Sequence, residues 1–268
     1  VPDSAGIPAS VRAEMLVAPY NDIEAVEGLV GQHRGEIAAI IVEPFQRIVP
    51  PAPGFLEALR RITSEAGIVL IFDEVVTGFR LAYGGAQALY GVTPDLTTLG
   101  KAIGGGFPLA AVGGRADIMA HFDKAAVGDD AFVVQIGTLS GNPVAAAAGI
   151  ATLEILRRPG TYERLFATGH RMMEALSETL SRAGIAATVV GVPPLFDVVF
   201  ASGPVRDYRG TFRSDARGSR ALNAALLKRG ILKSDSKYYL SIAHGDGEME
   251  TTIAAWEDAM PEVKAALA

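Results

Sequence analysis

Apolar residues along this chain follow two patterns, helical spacing and short uninterrupted runs. Helical spacing covers residues 22–33 and 55–62, and each of these segments is followed by a continuous apolar run, at 37–42 and 68–72. The first pattern predicts an amphipathic helix and the second a fully buried strand. Helices that alternate with buried strands indicate an α/β fold with a mainly parallel sheet.

The pattern changes at residues 157–160, where the sequence RRPG breaks a long apolar helix. The segments after this break predict a helix from Thr161, strands at 187–190 and 196–200, and helices at 220–229 and from about Glu248. This order of elements is typical of an α+β unit. We therefore expect a larger domain at residues 1–157 and a smaller C-terminal α+β domain at residues 158–268.

Composition limits the possible functions. The chain has 268 residues, 49% of them hydrophobic, a formal net charge of -6, four histidines and no cysteine. A negative charge without a cluster of Lys and Arg argues against a nucleic-acid partner, and no apolar run is long enough to span a bilayer. The absence of cysteine excludes disulfides and thiol catalysis. The histidines are far apart, which predicts no metal site. We expect a cytoplasmic protein.

Acidic residues directly follow both buried runs. Glu43 comes after the first run, and Asp73 and Glu74 come after the second. Because ligands of parallel sheets bind beyond the carboxyl ends of the strands, these carboxylates are candidate site residues. A strand that ends in Asp-Glu also occurs in ATPases, whose P-loop has no match here, since Asp95 and Ala102 stand where it needs Gly and Ser or Thr. An ATPase stays open as a remote alternative.

One lysine, Lys101, lies in the apolar and glycine-rich stretch TLGKAIGGGFP. A desolvated lysine loses its charge and becomes a nucleophile toward carbonyl groups. The interval from Asp73 to Lys101 is about the length of a strand, a helix and a strand, so adjacent strand ends would bring a carboxylate and an amine to one pocket. Enzymes that use pyridoxal phosphate (PLP) need this pair, the lysine for the aldehyde and the carboxylate for the pyridine nitrogen.

Donors for a phosphate group are available in the loop IGTLSGNP. Gly137 and Thr138 lie just before a predicted helix that begins at Pro143, with Asn142 or Ser140 as its N-cap. Free backbone N–H groups, a hydroxyl group and the positive end of the helix dipole all favour an anion at such a position. This loop is therefore a candidate phosphate site.

Ordered motifs extend over most of the chain. They are VEPFQ at 42–46, FDEVVTGFR at 72–80, PDLTTLGKAIGGGFPLAAVGG at 94–114, GTLSGNPVAAAAG at 137–149 and LSIAHGDGEMETTI at 240–253. In this order they resemble the class III aminotransferases, and within that class they are most similar to the glutamate-1-semialdehyde aminomutases. The resemblance implies PLP as cofactor and the PLP-dependent transferase fold type I. In that fold the residues before 158 would form the C-terminal part of the large PLP-binding domain.

The resemblance also assigns roles to single residues. Lys101 would bind the PLP aldehyde and then move the proton between substrate and cofactor. Asp73 would pair with the pyridinium, and Val75 would pack on one face of the ring. Arg80 is expected to be structural, either as an ion-pair partner of Glu74 or at a helix terminus.

Further roles concern the phosphate and the substrate. Thr138, with Gly137 beside it, would reach the phosphate of the neighbouring subunit, which implies a homodimer with shared active sites. Glu43 and Gln46 match the VEPxQ element of the family, which lies near substrate and cofactor. The implied reaction transfers an amino group between an amine or amino acid and a carbonyl acceptor.

The chain also departs from the family pattern. The glycine- and serine-rich phosphate cradle and the stacked aromatic residue have no counterpart, so we expect an N-terminal part to be missing before Val1. The stretch KYYLSIAHG has no arginine for the substrate's α-carboxylate, and SDSKYY lacks the glutamate of the aminomutase gate. An intramolecular aminomutase, a racemase and a non-catalytic relic of the fold stay open as alternatives.

Overall fold

The computed structural model describes residues 4–268, and Val1, before which an N-terminal part is expected to be missing, lies outside these residues. The helices are α1 (Ala9–Ala13), α2 (Ile23–Gln32), α3 (Phe55–Ala66), α4 (Gly85–Tyr90), α5 (Ala116–Met119), α6 (Lys124–Val127), α7 (Pro143–Leu156), α8 (Thr161–Arg182), α9 (Tyr208–Thr211), α10 (Ala216–Lys228) and α11 (Asp246–Leu267). The strands are β1 (Ala39–Val42), β2 (Val69–Glu74), β3 (Leu96–Leu99), β4 (Ala111–Gly114), β5 (Thr188–Val192), β6 (Leu195–Val199) and β7 (Tyr238–Tyr239). Short 3₁₀ turns cover Lys101–Gly104 and Ala120–Phe122.

The first four strands form one sheet in the order β1-β2-β3-β4. The pairs β1–β2 and β2–β3 are parallel, and β4 runs antiparallel to β3. Helix α3 connects β1 to β2, and α4 connects β2 to β3. The predicted α/β fold with a mainly parallel sheet is therefore confirmed.

Helix boundaries follow the capping residues. The Asn142 side chain accepts hydrogen bonds from the first backbone N–H groups of α7, so that Asn142 and not Ser140 is the N-cap. Helix α10 begins at Ala216, before the predicted residue 220, because Asp215 caps it by accepting a hydrogen bond from Arg217 N at 2.8 Å. Helix α1 was not predicted, since its five residues bury nothing and carry no apolar periodicity.

The two largest of three hydrophobic cores in residues 4–268 support the sheets. The first lies under β2 and the apolar face of α3, with Leu56, Leu59, Leu70 and Phe72 among its buried residues. The second packs α8, α10 and α11 against the antiparallel sheet β5-β6-β7 around the fully buried Trp256. The apolar face of α3 and the apolar residues of β2 thus pack together in this core. The carboxyl end of β2, where Asp73 lies, is outside the core.

The part of the chain before α8 and the part from α8 onward are in contact. Val190 and Val199 of the antiparallel sheet pack into the first core, and the Tyr162 hydroxyl donates to the Phe79 carbonyl oxygen at 2.9 Å. A domain boundary between residues 157 and 158 stays a prediction. Among residues 4–268, none of the helices combines the length and the hydrophobicity that a bilayer span requires.

Candidate active site

The carboxyl ends of β1, β2 and β3 meet at one edge of the parallel sheet. Glu43 follows β1 directly, Asp73 lies near the end of β2, and Lys101 is the second residue after β3. In the β2–β3 register Asp73 is opposite Thr98, only three residues before Lys101. The parallel register therefore brings the predicted carboxylate and the predicted lysine to adjacent strand ends, which is where open α/β sheets bind ligands.

Asp73 is half-buried and oriented by two hydrogen bonds. Its Oδ1 atom accepts from Val75 N at 3.0 Å and from Thr98 Oγ1 at 3.3 Å. Its Oδ2 atom accepts no hydrogen bond from any residue between 4 and 268. The carboxylate is thus fixed through one oxygen and keeps the other available for a cationic ligand.

The neighbouring Glu74 is a structural residue. It is fully buried, and its carboxylate accepts hydrogen bonds from Thr77 Oγ1, from the backbone N–H groups of Ala86 and Gln87, and from the Gln87 side chain. These donors use both carboxylate oxygens, which leaves none for a metal-bound nucleotide. Glu74 is therefore not available as the catalytic acid that the ATPase alternative needs.

Arg80 forms no ion pair with Glu74 and lies at no helix terminus, so both roles expected for it are wrong. Donors at the start of α4 already satisfy Glu74, and the Arg80 Nε atom instead donates to the Val76 carbonyl oxygen at 3.2 Å. The Arg80 guanidinium lies over the Tyr239 ring, with 5.1 Å between its Cζ atom and the ring centroid. Burial lowers the pKa of Arg80, and the nearby Tyr239 opposes this shift. Arg80 thus faces the C-terminal part of the chain.

Lys101 is exposed and has an unusual backbone conformation. Its φ angle is +50°, in the left-handed region that costs a residue with a side chain about 1 kcal/mol or more. The preceding Gly100 passes close to Val75, because a Cβ atom at Gly100 would lie 3.3 Å from Val75 Cγ1. The glycine thus lets the backbone pass close to Val75 immediately before the strained residue Lys101. Strain of this kind is typical of functional sites.

Glu43 and Gln46 lie in the turn after β1. Glu43 Oε2 accepts a hydrogen bond from Arg47 N at 3.3 Å, and the Gln46 backbone pairs with Val49. The Oε1 atom of Gln46 is buried and has no hydrogen-bond partner among the described residues. With Asp73, these two side chains line a cavity of about 320 Å³. An unsatisfied buried acceptor beside a free carboxylate oxygen indicates a place for a polar ligand.

Two other predicted residues lie around a second cavity. Val75 and Gly137 line a hollow of about 980 Å³ between the sheet and the loop before α7. Thr138 is exposed, and neither Thr138 nor Lys101 lines either of these two cavities. Within a single chain, the structure therefore groups Glu43, Gln46 and Asp73, and separately Val75 and Gly137, without uniting all seven candidates.

The sequence analysis missed one residue near this edge. Lys237 is only 6% exposed, and its Nζ atom donates to the Arg47 carbonyl oxygen at 2.8 Å. Burial is the main cause that lowers the pKa of Lys237; the charge of Glu43 opposes this, and the charge of Lys101 adds to it. Lys237 is therefore close enough to Lys101 for their charges to interact. The signal that the sequence offers is the lysine in KYYLSIAHG, a stretch in which the family pattern has an arginine.

Comparisons with known proteins agree with this arrangement. The family model described as aminotransferase class-III matches residues 5–202. An omega-transaminase from Sphaerobacter thermophilus is 38% identical, with a TM-score of 0.91 over 98% of this chain and 60% of that one. A transaminase with PLP bound is 31% identical, with a TM-score of 0.87 over 98% of this chain and 61% of that one.

A glutamate-1-semialdehyde-aminomutase from Pseudomonas aeruginosa PAO1 is 26% identical, with a TM-score of 0.83 over 98% of this chain and 60% of that one. The chain thus spans about 60% of the length of these solved structures. The predicted resemblance and fold type are confirmed, and enzymes of this family are PLP-dependent. By its family match and its fold, the chain belongs to the class III aminotransferases.

Proposed function

We propose that this protein acts as a PLP-dependent aminotransferase that transfers an amino group between an amine or amino acid and a carbonyl acceptor. One observation carries the proposal: the parallel register of β2 and β3 brings Asp73 and Lys101 to adjacent strand ends. Family membership supports the reaction class, and the similar omega-transaminase and transaminase support it further. The cytoplasm remains the location that we expect.

The residues at this edge fit PLP. Asp73 has a free carboxylate oxygen, which suits a protonated ring nitrogen, and Gln46 has a buried acceptor without a partner. A Cβ atom at Gly100 would lie 3.3 Å from Val75 Cγ1, so glycine keeps open the space beside Val75. In this assignment Asp73 holds the ring nitrogen, Val75 contacts the ring face, and Glu43 and Gln46 contribute polar groups.

When bound, PLP supplies an aldehyde that captures amines and a ring that stabilises negative charge on the neighbouring carbon. The chain's own residues orient the reactants and move the proton. Asp73, fixed by Val75 N and Thr98, keeps its charge directed to one position. The Lys101 Nζ atom would accept the proton from the substrate's Cα and would carry it until it is donated back, which requires a neutral amine before the proton is accepted.

Borohydride reduction in the presence of PLP tests the lysine assignment. The pyridoxyl mass is expected on the peptide that contains Lys101, and a Lys101→Ala variant should lose the label and at least about a thousandfold in kcat. Lys124→Ala is the matched control, because Lys124 is an exposed lysine at the start of α6. A label on Lys124 or Lys233 with Lys101 unmodified would overturn the assignment and the mechanism built on it.

We further propose that the working unit is a homodimer in which Gly137 and Thr138 bind the phosphate in the partner's site. Both residues are exposed on this chain, and so are the apolar neighbours Val134 at 61% and Ile136 at 87%. Thr138→Ala should weaken PLP binding by about 1.5–3 kcal/mol, the worth of one charge-assisted hydrogen bond.

Mixed dimers separate a shared site from a site within one subunit. A dimer of one Thr138→Ala chain and one Lys101→Ala chain has one site with wild-type Lys101 and wild-type Thr138 if the site is shared. At a PLP concentration that leaves the Thr138→Ala homodimer largely unloaded, activity should then rise above that of either variant alone when the two are mixed. Verified mixed dimers without any such rise would contradict the shared site.

An intramolecular aminomutase is the second candidate function, because the aminomutase from Pseudomonas aeruginosa matches 98% of this chain. Such an enzyme needs no separate acceptor. Incubation with glutamate-1-semialdehyde alone should give product if this candidate is right. An aminotransferase should consume an amino donor only together with a carbonyl acceptor.

A further inference from the structure

Arg47 occupies a strained position in the turn after β1. Gln46 and Val49 exchange both of their backbone hydrogen bonds, at 3.0 and 2.8 Å, so that Arg47 and Ile48 are the central residues of a two-residue turn. The φ angle of Arg47 is +57°. A positive φ angle at the first central position of such a turn favours glycine, and a larger residue adopts it only where its surroundings stabilise it. The contacts of Arg47 therefore need an explanation.

Three contacts hold Arg47 in this conformation. Its backbone N–H donates to Glu43 Oε2 at 3.3 Å, and its carbonyl oxygen accepts from Lys237 Nζ at 2.8 Å. These two contacts use backbone atoms, which every residue except proline offers. The third involves the side chain, because the guanidinium lies over the Tyr208 ring, with 4.5 Å between the Arg47 Cζ atom and the ring centroid. Guanidinium groups stack on aromatic faces, so Tyr208 is the residue that makes use of an arginine here.

Tyr208 is supported from below by the segment that precedes it. Val205 packs against the first core, and the Arg206 carbonyl oxygen accepts from Asn21 Nδ2 at 2.7 Å. Asp207 is the N-cap of α9, since its Oδ1 atom accepts from Gly210 N at 2.6 Å. The half-buried Tyr208 is the first residue of this helix. Its ring is therefore anchored independently of Arg47 and can orient the arginine.

The conformation of Arg47 matters to the candidate site because Gln46 lies in the same turn. The Gln46 side chain lines the cavity of about 320 Å³ together with Glu43 and Asp73, and its buried Oε1 atom has no partner among the described residues. The backbone angles of Arg47 set the path of the chain directly after Gln46. A change at Arg47 would therefore displace the Gln46 amide from its place in the cavity.

We propose that Tyr208 is a positioning residue of the candidate active site, which holds Arg47 and through it the Gln46 side chain. This inference rests on the proposed function, in which Gln46 contributes a polar group toward PLP. The C-terminal part of the chain then takes part in cofactor binding through one contact between a ring and a guanidinium group. Asp73 and Lys101 lie on other strand ends, so loss of this contact weakens cofactor binding and leaves proton transfer intact.

Equilibrium dialysis of PLP against the full-length protein tests the role of the ring. Tyr208→Leu should raise the Kd of PLP about tenfold, the effect of one hydrogen bond, whereas kcat at saturating PLP should fall less than about threefold. Tyr208→Phe keeps the ring and should stay within about twofold of the wild-type Kd. Phe212→Leu is the control, because Phe212 directly follows α9, is 70% exposed and should change the Kd less than about twofold.

A variant of Gln46 shows whether Tyr208 acts through that residue. In a Gln46→Ala background, Tyr208→Leu should raise the Kd of PLP by less than a further twofold, because two residues that act through one another do not have additive effects. A second tenfold increase would mean that Tyr208 acts on another part of the protein. That result would overturn the inference.

The contact itself is measured without cofactor. In PLP-free protein, the fall in melting temperature of the double variant Arg47→Met/Tyr208→Leu should be smaller than the sum of the falls of the two single variants. Additive falls would show that the two side chains do not support each other, and the inference would be overturned. If Tyr208→Leu does not fold, Arg47→Met replaces it in dialysis, since Arg47 is exposed, and Arg47→Lys should recover most of the lost affinity.

The same dialysis separates this inference from the proposed function. A wild-type protein that does not bind PLP would count against the proposed function. A wild-type protein that binds PLP, with an unchanged Kd in both Tyr208→Leu and Arg47→Met, would overturn the positioning role alone.

Discussion

The interior around Trp256 and the carboxyl edge of the parallel sheet differ in whether their polar groups have hydrogen-bond partners. Trp256 is fully buried, and its Nε1 atom donates to the Tyr238 hydroxyl at 2.9 Å. Tyr238 in turn stacks on Phe196, with 5.0 Å between the ring centroids. At the sheet edge, Asp73 keeps a free oxygen and Gln46 a buried acceptor without a partner.

The difference separates residues that stabilise the fold from residues that bind a ligand. A polar group inside a stable core has its partner, because an unsatisfied one costs about 1–3 kcal/mol. Groups that keep their donors or acceptors unused, or that adopt strained backbone such as Lys101, lower the stability and persist where a ligand will use them. The groups at the edge of the sheet that are suited to binding therefore lower the stability of the folded state.

Replacement of Trp256 should have the largest effect on stability. Trp256→Ala removes the largest fully buried side chain and leaves a cavity as well as an unpaired Tyr238 hydroxyl. We expect the free energy of unfolding to fall by about 3–5 kcal/mol, measured by urea denaturation. Leu232→Ala is the control, since Leu232 is 87% exposed and its loss should cost less than about 0.5 kcal/mol. Similar decreases in the free energy of unfolding for both variants would contradict the role of Trp256 as the centre of a stable core.

Much of this fold could be predicted from the sequence because its signals are local. Amphipathic spacing and apolar runs located α2, β1, α3 and β2 to within a few residues. The adjacent strand ends that carry Asp73 and Lys101 also followed from local reasoning, since a strand, a helix and a strand of that length make parallel neighbours. Asn142 as N-cap is a further local signal.

Contacts between distant segments could not be predicted in this way. Lys237 contacts Arg47, 190 residues earlier, and no local pattern connects them. The prediction of an ion pair between Arg80 and Glu74 was wrong for a related reason. Sequence proximity favoured an acid and a base six residues apart, whereas Gln87 and the start of α4 reach Glu74 first through the tertiary fold. Local propensity carries no information about such competition.

Adjacent carboxylates give the sharpest test of the comparison. Asp73→Asn keeps an oxygen that can accept from Val75 N but loses the charge, so kcat/KM should fall about a hundredfold with less than about 1 kcal/mol change in stability. Glu74→Gln introduces donors against the N–H groups of Ala86 and Gln87 and should cost up to about 3 kcal/mol.

Both variants are compared by urea denaturation and by steady-state kinetics on the same preparations. The expected result is a crossed pattern, with activity lost in Asp73→Asn and stability lost in Glu74→Gln. A Glu74→Gln variant as stable as the wild type, or a fully active Asp73→Asn variant, would reverse the roles assigned to the two side chains.

The Asp197–Lys233 pair in the C-terminal part is an exception to this comparison, because its carboxylate has a partner and is still destabilised by burial. The pH dependence of stability that it causes is the smallest predicted effect. Burial raises the pKa of Asp197 to about 6 from an ordinary value of 3.8, while the charges of Lys233 and Lys237 oppose the shift. Between about pH 4 and pH 6 the folded state therefore binds more protons than the unfolded state, and the free energy of unfolding falls as the pH rises.

Asp197→Asn has no proton to release at this position, so the fall should be absent from the variant. The difference in unfolding free energy between wild type and variant should decrease by on the order of 2 kcal/mol from pH 4 to pH 7, because one pKa unit corresponds to about 1.4 kcal/mol. Urea denaturation at four pH values measures it, and groups common to both proteins cancel in the difference. A difference that stays constant with pH would mean that Lys233 fully compensates the buried carboxylate, and the C-terminal core would then contain no exception.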